Sequence, residues 1–230
     1  PKSGSCNMDV ACLGANDPWQ SNRRSVAAQG TNGSRVCTGS LINNAAGDRS
    51  MLYITATHCG VTAASAPSLF VYWNFDAPTC RLPGSPESGS NAVIGTFLAQ
   101  TNDPFSGATA ANTRSDVTLV RFNNAANPAH NVYWSGWDRQ DIASTCSAPA
   151  DPTATSGLCA SIHHPSGDEK RITFVQANMF TANISGATGV HWQANWDPTP
   201  PILPNIPAPQ PATLPPGVTE PGSSGSPLYN

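Results

Sequence analysis

Residues 51–60 read Met51-Leu-Tyr-Ile-Thr-Ala-Thr-His58-Cys59-Gly60, a short β-branched and aromatic run that ends in a histidine, a cysteine and a glycine. Runs of the same kind recur along the chain. They are Val36-Cys-Thr-Gly-Ser-Leu-Ile42, Ser68-Leu-Phe-Val-Tyr-Trp73, Ala92-Val-Ile-Gly-Thr-Phe-Leu98, Asp116-Val-Thr-Leu-Val-Arg-Phe122 and Lys170-Arg-Ile-Thr-Phe-Val175. Turn residues separate them, and short strands spaced in this way predict an all-β barrel or sandwich. No stretch holds a 3.6-residue apolar period beyond two turns, so helices are expected to be few. Trp73, Trp134 and Trp137 read as core residues.

Composition narrows the classes further. Charged residues make up 11 % of the 230, against roughly 25 % in an ordinary soluble domain. Gly and Pro number 19 and 22, a density that excludes a helical bundle. A hydrophobic share of 39 % with six Trp is too apolar for a disordered chain. A net charge of −3 and a pI near 5.9 leave no electrostatic footprint for nucleic acid or an anionic membrane. The longest apolar runs span about six residues, where a membrane helix needs about twenty.

The chain opens Pro1-Lys2-Ser3-Gly4, with neither Met nor an apolar signal core. It reads as a mature, secreted chain whose export signal has been removed. Seven cysteines without a Cys-x-x-Cys pair point to disulfides in an oxidising compartment. An odd count leaves one thiol free, or joined to something outside this sequence. Between Asp197 and Gly217 nearly every second residue is Pro. Such a segment is expected to be extended, polyproline-like and on the surface. With thirteen residues after it, it reads as an inserted loop and not as a linker to a further domain.

Four features carry chemistry. His58 follows a strand, Asp116 opens one, Glu220-Pro-Gly-Ser-Ser-Gly-Ser-Pro227 makes a tight turn, and Cys37 could bridge to Cys59 to staple the histidine's loop. Each is ordinary alone, and Gly-Ser-Ser-Gly-Ser is also what a flexible linker looks like. In the order His, Asp, Ser they meet the demands of acyl transfer. A Ser hydroxyl needs an adjacent base to take its proton. A histidine near its ordinary pKa suits that task. A buried Asp holds the imidazole tautomer and stabilises the imidazolium. Glycines let backbone N–H groups converge where an oxyanion develops.

Thr55-Ala-Thr-His58-Cys59, Asp116-Val-Thr-Leu119 and Gly222-Ser-Ser224-Gly-Ser-Pro227 resemble the signature blocks of chymotrypsin-like serine proteases. The nearer resemblance is to the bacterial lysyl endopeptidases (Lys-C type). It rests on Ser3-Gly-Ser-Cys6-Asn-Met-Asp9, Cys37-Thr-Gly-Ser-Leu41, Val71-Tyr-Trp-Asn74, Asn123-Asn-Ala-Ala-Asn-Pro128, Gly136-Trp-Asp-Arg139, Ile162-His-His-Pro165, Glu169-Lys-Arg-Ile172 and Gly217-Val-Thr-Glu-Pro-Gly222. These blocks cover nearly the whole chain. The resemblance implies two six-stranded antiparallel β-barrels, the first over roughly 25–120 and the second over roughly 130–230, within one protease domain spanning 1–230. Position by position it implies His58 as general base, Asp116 as its orienting partner and Ser224 as nucleophile. Ser223 and Ser226 flank Ser224 but occupy other places in the pattern. The backbone N–H groups of Gly222 and Ser224 would form the oxyanion hole. His191, Trp192 and Val218 are candidate substrate contacts.

The same resemblance pairs Cys12 with Cys80 and Cys37 with Cys59. Cys146 and Cys159, in a stretch longer than the family pattern, are expected to close a local bridge. Cys6 is left for a partner beyond the nucleophile and outside this chain. The relatives continue past the point where this sequence stops, six residues after Ser224, with the last strands of the second barrel and the acidic residue that selects lysine. The expectation is therefore an incomplete second barrel, completed by a C-terminal companion chain or segment linked through Cys6. The alternative is a truncated record of a longer chain.

No metal or other cofactor is expected. His163 and His164, being adjacent, point to opposite sides of a strand, and neither they nor His191 have a carboxylate or thiol to complete a ligand set. The function expected is a secreted serine endopeptidase acting on polypeptides, cleaving after Lys. Only Lys2 and Lys170 occur against nine Arg, as suits a protease lacking its own target. The alternatives are the same triad with Arg, Glu or another preference, and a catalytically silent relative that binds protein.

Overall fold

The computed structural model describes residues 3–83, 85, 93–96, 99–101, 116–138, 146, 158–176, 179–184 and 187–230. Lys2, Ser115, Arg139, the outer residues of the 92–98 run and most of the stretch between Cys146 and Cys159 lie outside the described residues. The chain enters through a two-residue strand, β1 (Met8–Asp9), and a single helical turn, α1 (Trp19–Asn22). An antiparallel sheet follows, built from β2 (Val26–Thr31), β3 (Ser34–Ile42), β4 (Leu52–Thr55), β5 (Phe70–Trp73), β6 (Val93–Thr96), β7 (Ala99–Thr101) and β8 (Thr118–Phe122). Its strand order is β6-β5-β2-β3-β4-β8-β7. Along β4 and β5 half-buried and buried side chains alternate, the period-2 pattern of a sheet with one face on a core.

The second half of the chain supplies β9 (Ala160–His163), β10 (Arg171–Phe174), the hairpin of β11 (Phe180–Ile184) with β12 (Ala187–Gln193), and β13 (Leu228–Tyr229). Strands β1, β10, β9 and β13 make a four-stranded antiparallel sheet in that order, and the hairpin stands as its own two-stranded sheet. The protein is thus all-β and antiparallel, but its sheets are not the two six-stranded barrels expected. The run at 92–98 accounts for part of the difference. Its described residues form β6, which pairs with β5, while β7, just beyond the run, pairs with β8 at the opposite edge. No ladder joins β6 to β7 among the described residues, so the sheet has seven strands and two edges. The other sheet recruits β1 from the N-terminus, through Met8 opposite Ile172 and Asp9 opposite Arg171.

Two large cores and two small clusters lie on these sheets among the described residues. One large core gathers Val10, Leu13, Trp19, Ile162, Phe174 and Leu203. The other centres on Tyr53 and Trp73, both fully buried, with Phe122 5.2 Å from Tyr53 between ring centroids. A Cβ on Gly39 would meet the Tyr53 ring at 2.5 Å, so only glycine fits opposite it. Trp134 is half-buried and donates its indole N–H to the Ser50 carbonyl. Trp137, expected in the core, is 58 % exposed. The segment that carries it leaves the sheet after the single bridge between Ile42 and Ser135, and Gly136, Trp137 and Asp138 are all exposed.

The proline-rich segment contains no strand or helix, but it is not merely a surface loop. Leu203, Ile206 and Leu214 are buried in the first core. Asn205 donates to the Leu13 carbonyl at 2.7 Å. Prolines remove backbone donors, while the intervening aliphatic residues anchor the segment by burial.

Buried charge ties β1 to β10. Asp9 is fully buried and receives the guanidinium groups of Arg171 and Arg81, the latter at 2.8 Å. The Cys12–Cys80 disulfide delivers Arg81 to that position, and Arg81 also pairs with Glu169. Lys170 is fully buried, with its ammonium 3.0 Å from Asp76, and burial pulls its pKa down. Removing Asp9 from this set takes one carboxylate from two guanidinium groups and leaves an excess of buried positive charge. Asp9→Ala should therefore cost about 3–5 kcal/mol of stability, measured as a lowered urea midpoint.

Candidate active site

The ladder between β4 and β8 brings His58 and Asp116 together. Thr55 lies opposite Thr118, and continuing that antiparallel register by two residues sets Asp116 opposite Thr57. The chain then makes one 3-10 turn over Thr57–Cys59, closed by Gly60 at φ 75°, a left-handed conformation that favours glycine. Thr57 Oγ1 donates to the Val117 carbonyl at 2.8 Å, fixing the approach. The Asp116 carboxylate accepts twice: Oδ1 from the His58 backbone N–H at 3.0 Å and Oδ2 from His58 Nδ1 at 2.5 Å. With Nδ1 bearing the shared proton, Nε2 presents its lone pair away from the carboxylate. Asp116 is partly open to solvent, at 22 % side-chain exposure, where a buried carboxylate was expected. The adjoining cleft, about 420 Å³, explains this. His58, Asp116, Trp137, Ser226 and Leu228 are among its lining residues.

Ser224 sits on the turn from Glu220 to Ser226. Gly222 and Gly225 take φ of 96° and 83°. A Cβ on Gly222 would lie 2.8 Å from the Gly167 nitrogen, and one on Gly225 would run into the Thr38 carbonyl and Thr55 Oγ1. Thr38 on β3 clamps the turn: its N–H donates to the Ser224 carbonyl and its hydroxyl to the Gly222 carbonyl, both at 2.8 Å. The Cys37–Cys59 disulfide joins the neighbours of Thr38 and His58, and the Cys59 sulfur lies 3.6 Å from the Ser224 carbonyl oxygen. The Gly222 and Ser224 N–H groups make no backbone hydrogen bond among the described residues. Nor does Ser224 Oγ bond to the His58 ring, and contacts of this kind often tighten only around substrate.

The remaining expected residues lie elsewhere. His191 and Trp192 are on β12, half-buried and 42 % exposed respectively, and Val218 is half-buried before the turn. None of the three lines the cleft beside His58. Cys146 is bonded to Cys159, and Cys6 is half-buried outside any disulfide. His164 Nδ1 meets the Asp168 carbonyl at 2.9 Å. The sulfurs nearest the His58 ring belong to a disulfide, which offers no thiolate to a metal.

Motif reading passed over Thr38, Glu220 and the pair of His163 with Ser223. Nothing in the local sequence of Thr38, inside the Cys37 block, announces a clamp. His163 is fully buried, with Nδ1 2.8 Å from Ser223 Oγ. Desolvation, then the nearby Arg171 charge, pushes its pKa down to about 3. It is neutral in the folded state at pH values where the unfolded chain's histidine is protonated. Stability should therefore fall as pH drops from about 6.5 towards 3. His163→Gln should flatten that slope in a series of chemical denaturations against pH.

The family model of the lysyl endopeptidase C-terminal domain matches residues 1–230. The lysyl endopeptidase of Pseudomonas aeruginosa is 24 % identical over 192 residues, covering 80 % of this chain and 36 % of that protein. The chain thus spans little more than a third of the length of the curated relative. Among solved structures, the Rv3671c protease in its inactive form is similar with a TM-score of 0.44 and 15 % identity, covering 95 % of this chain and 81 % of that one. The match over its full length makes this chain a member of the lysyl endopeptidase C-terminal-domain family.

Proposed function

We propose that this protein is a serine endopeptidase that hydrolyses peptide bonds through an acyl-enzyme. The observation that carries the reading is the doubly held contact between Asp116 and His58, with the Ser224 carbonyl pinned beside the same loop. His58 Nε2 takes the Ser224 hydroxyl proton as Oγ attacks the substrate carbonyl carbon. Negative charge on the carbonyl oxygen is met by the N–H groups of Gly222 and Ser224, which have no backbone partner among the described residues. The imidazolium, steadied by Asp116, then protonates the departing amine. Water repeats the sequence on the ester and frees Ser224.

Cleavage after Lys is part of this proposal, supported by the family membership. Lys170, the lysine among the described residues, is fully buried and so shielded from such an activity. Three disulfides suit a secreted enzyme. A C-terminal companion segment joined through Cys6 belongs to the same proposal, since Cys6 is the cysteine left outside the three disulfides.

A fluorophosphonate should label the wild-type enzyme at Ser224, and Ser224→Ala should abolish labelling. Asp116→Asn should lower turnover by about 10⁴, the scale seen for that change in a Ser-His-Asp triad. Absence of labelling in folded wild type would overturn the reading. Of peptides bearing Lys, Arg or Glu before the scissile bond, the Lys substrate should be cut fastest. Unreduced peptide mapping should find Cys6 bonded to a cysteine absent from residues 1–230; a Cys6 that alkylates without reduction would argue against the companion segment.

A further inference from the structure

Glu220 begins the turn that carries Ser224, and its half-buried carboxylate accepts three hydrogen bonds. Two come from the start of the chain, over 200 residues away: the Gly4 N–H and the Asn7 side-chain amide reach Oε1 at 2.9 and 2.6 Å. The Ser166 hydroxyl reaches Oε2 at 3.1 Å. All three donors are neutral, and no salt bridge to Glu220 occurs among the described residues. Such charge-assisted bonds to N–H and O–H groups are short and directional, which suits a group that orients its surroundings.

The strap that brings these donors is itself anchored. Ser3 donates to Asp168 Oδ2 through its N–H at 2.9 Å and its hydroxyl at 2.8 Å. Asn7 is buried and also bonds the Gly4 carbonyl. A Cβ on Gly4 would come within 2.6 Å of Glu220 Oε1, so a side chain there would push the carboxylate off the Gly4 N–H. On the other side, the Glu220 main chain is woven into the turn. Its carbonyl accepts from the Ser223 N–H at 2.9 Å, and its N–H donates to Ser223 Oγ at 3.1 Å. Ser223 Oγ is held in turn by His163. Gly222 and Ser224, whose N–H groups have no backbone acceptor among the described residues, lie directly on either side of Ser223.

We propose that Glu220 is a positioning residue for the nucleophile turn, held by the strap Ser3–Asn7, so that the N-terminal segment sets the direction of the Gly222 and Ser224 N–H groups. This inference rests on the serine-peptidase reading for its effect on rate. The clamp itself is a physical linkage that can be measured without any activity.

The test compares wild-type protein with Asn7→Ala, Glu220→Ala and Glu220→Gln. Hydrogen exchange is read at the Ser223 and Ser226 amides, alongside kcat and KM on a peptide and the rate of fluorophosphonate labelling. Asn7→Ala and Glu220→Ala should speed exchange at both amides. They should lower kcat and labelling by about 10²-fold, the scale expected when reacting groups are misplaced by roughly 1 Å, with KM nearly unchanged. Glu220→Gln keeps an acceptor oxygen for Gly4 and Asn7, and should recover most of the rate. If Glu220→Ala fails to fold, Asn7→Ala decides, since it leaves the carboxylate its other two donors. Unchanged exchange in Asn7→Ala would overturn the clamp, and a change in KM alone would overturn the positioning role. Faster exchange in a protein whose wild type resists the fluorophosphonate would uphold the clamp and sink the peptidase reading.

Discussion

Thr38 is the residue on which the two halves of the structure meet. Its N–H and hydroxyl hold the carbonyls of Ser224 and Gly222, while its hydroxyl oxygen accepts from the His164 N–H at 3.0 Å and its carbonyl accepts from Thr55 Oγ1 at 2.8 Å. Four bonds from one β3 residue thus join the seven-stranded sheet, the turn bearing Ser224 and the end of β9. Buried backbone carbonyls must find donors, and at this seam a single threonine supplies them for Gly222 and Ser224, in a turn that makes no sheet ladder of its own until Leu228. The disulfide from neighbouring Cys37 adds the His58 loop to the same fixed point. The relative position of His58 and Ser224 therefore depends on β3 more than on any contact between those two side chains.

A second constraint is the band of buried charge along the other sheet. Residues 168–171 are Asp, Glu, Lys and Arg, and all four are buried. Desolvating so many ions is unfavourable unless each finds its partner, and here the partners come from distant segments: Asp9, Asp76, Arg81 and the Arg23 carbonyl. The arrangement admits few alternative packings, because any shift of β10 would strand a charge in the core. It also explains why β1 joins a sheet whose other strands lie more than 150 residues further along the chain. The strap that reaches Glu220 continues directly from that strand.

Much of the fold was legible because strand formation leaves a local record. Alternating β-branched and aromatic residues between turn signals mark β3, β4, β5, β8 and β10 without any long-range information. Closure is different. Whether the chain from β6 into β7 joins one edge of the sheet or two depends on which edges lie within reach of it, and no local pattern encodes that. Trp137 was misread for a related reason: its residue type says apolar, but its exposure is set by what covers the linker after Ser135. The proline-rich segment was misread in the opposite sense. Its prolines dominate the sequence pattern, whereas Leu203, Ile206 and Leu214 decide where it lies.

At the site, residue chemistry is a property of the sequence. A base, a carboxylate, a hydroxyl between glycines and paired cysteines can be named from side-chain type and order, because proton affinity and nucleophilicity belong to the groups themselves. Distances and dielectric surroundings do not. The register of β4 with β8 decided that Asp116 meets His58 with both oxygens. Burial decided that His163 stays neutral beneath Ser223. The fold alone brought Gly4 and Asn7 to Glu220, since hydrogen bonds across more than 200 residues arise from packing and leave no periodicity in the chain to read.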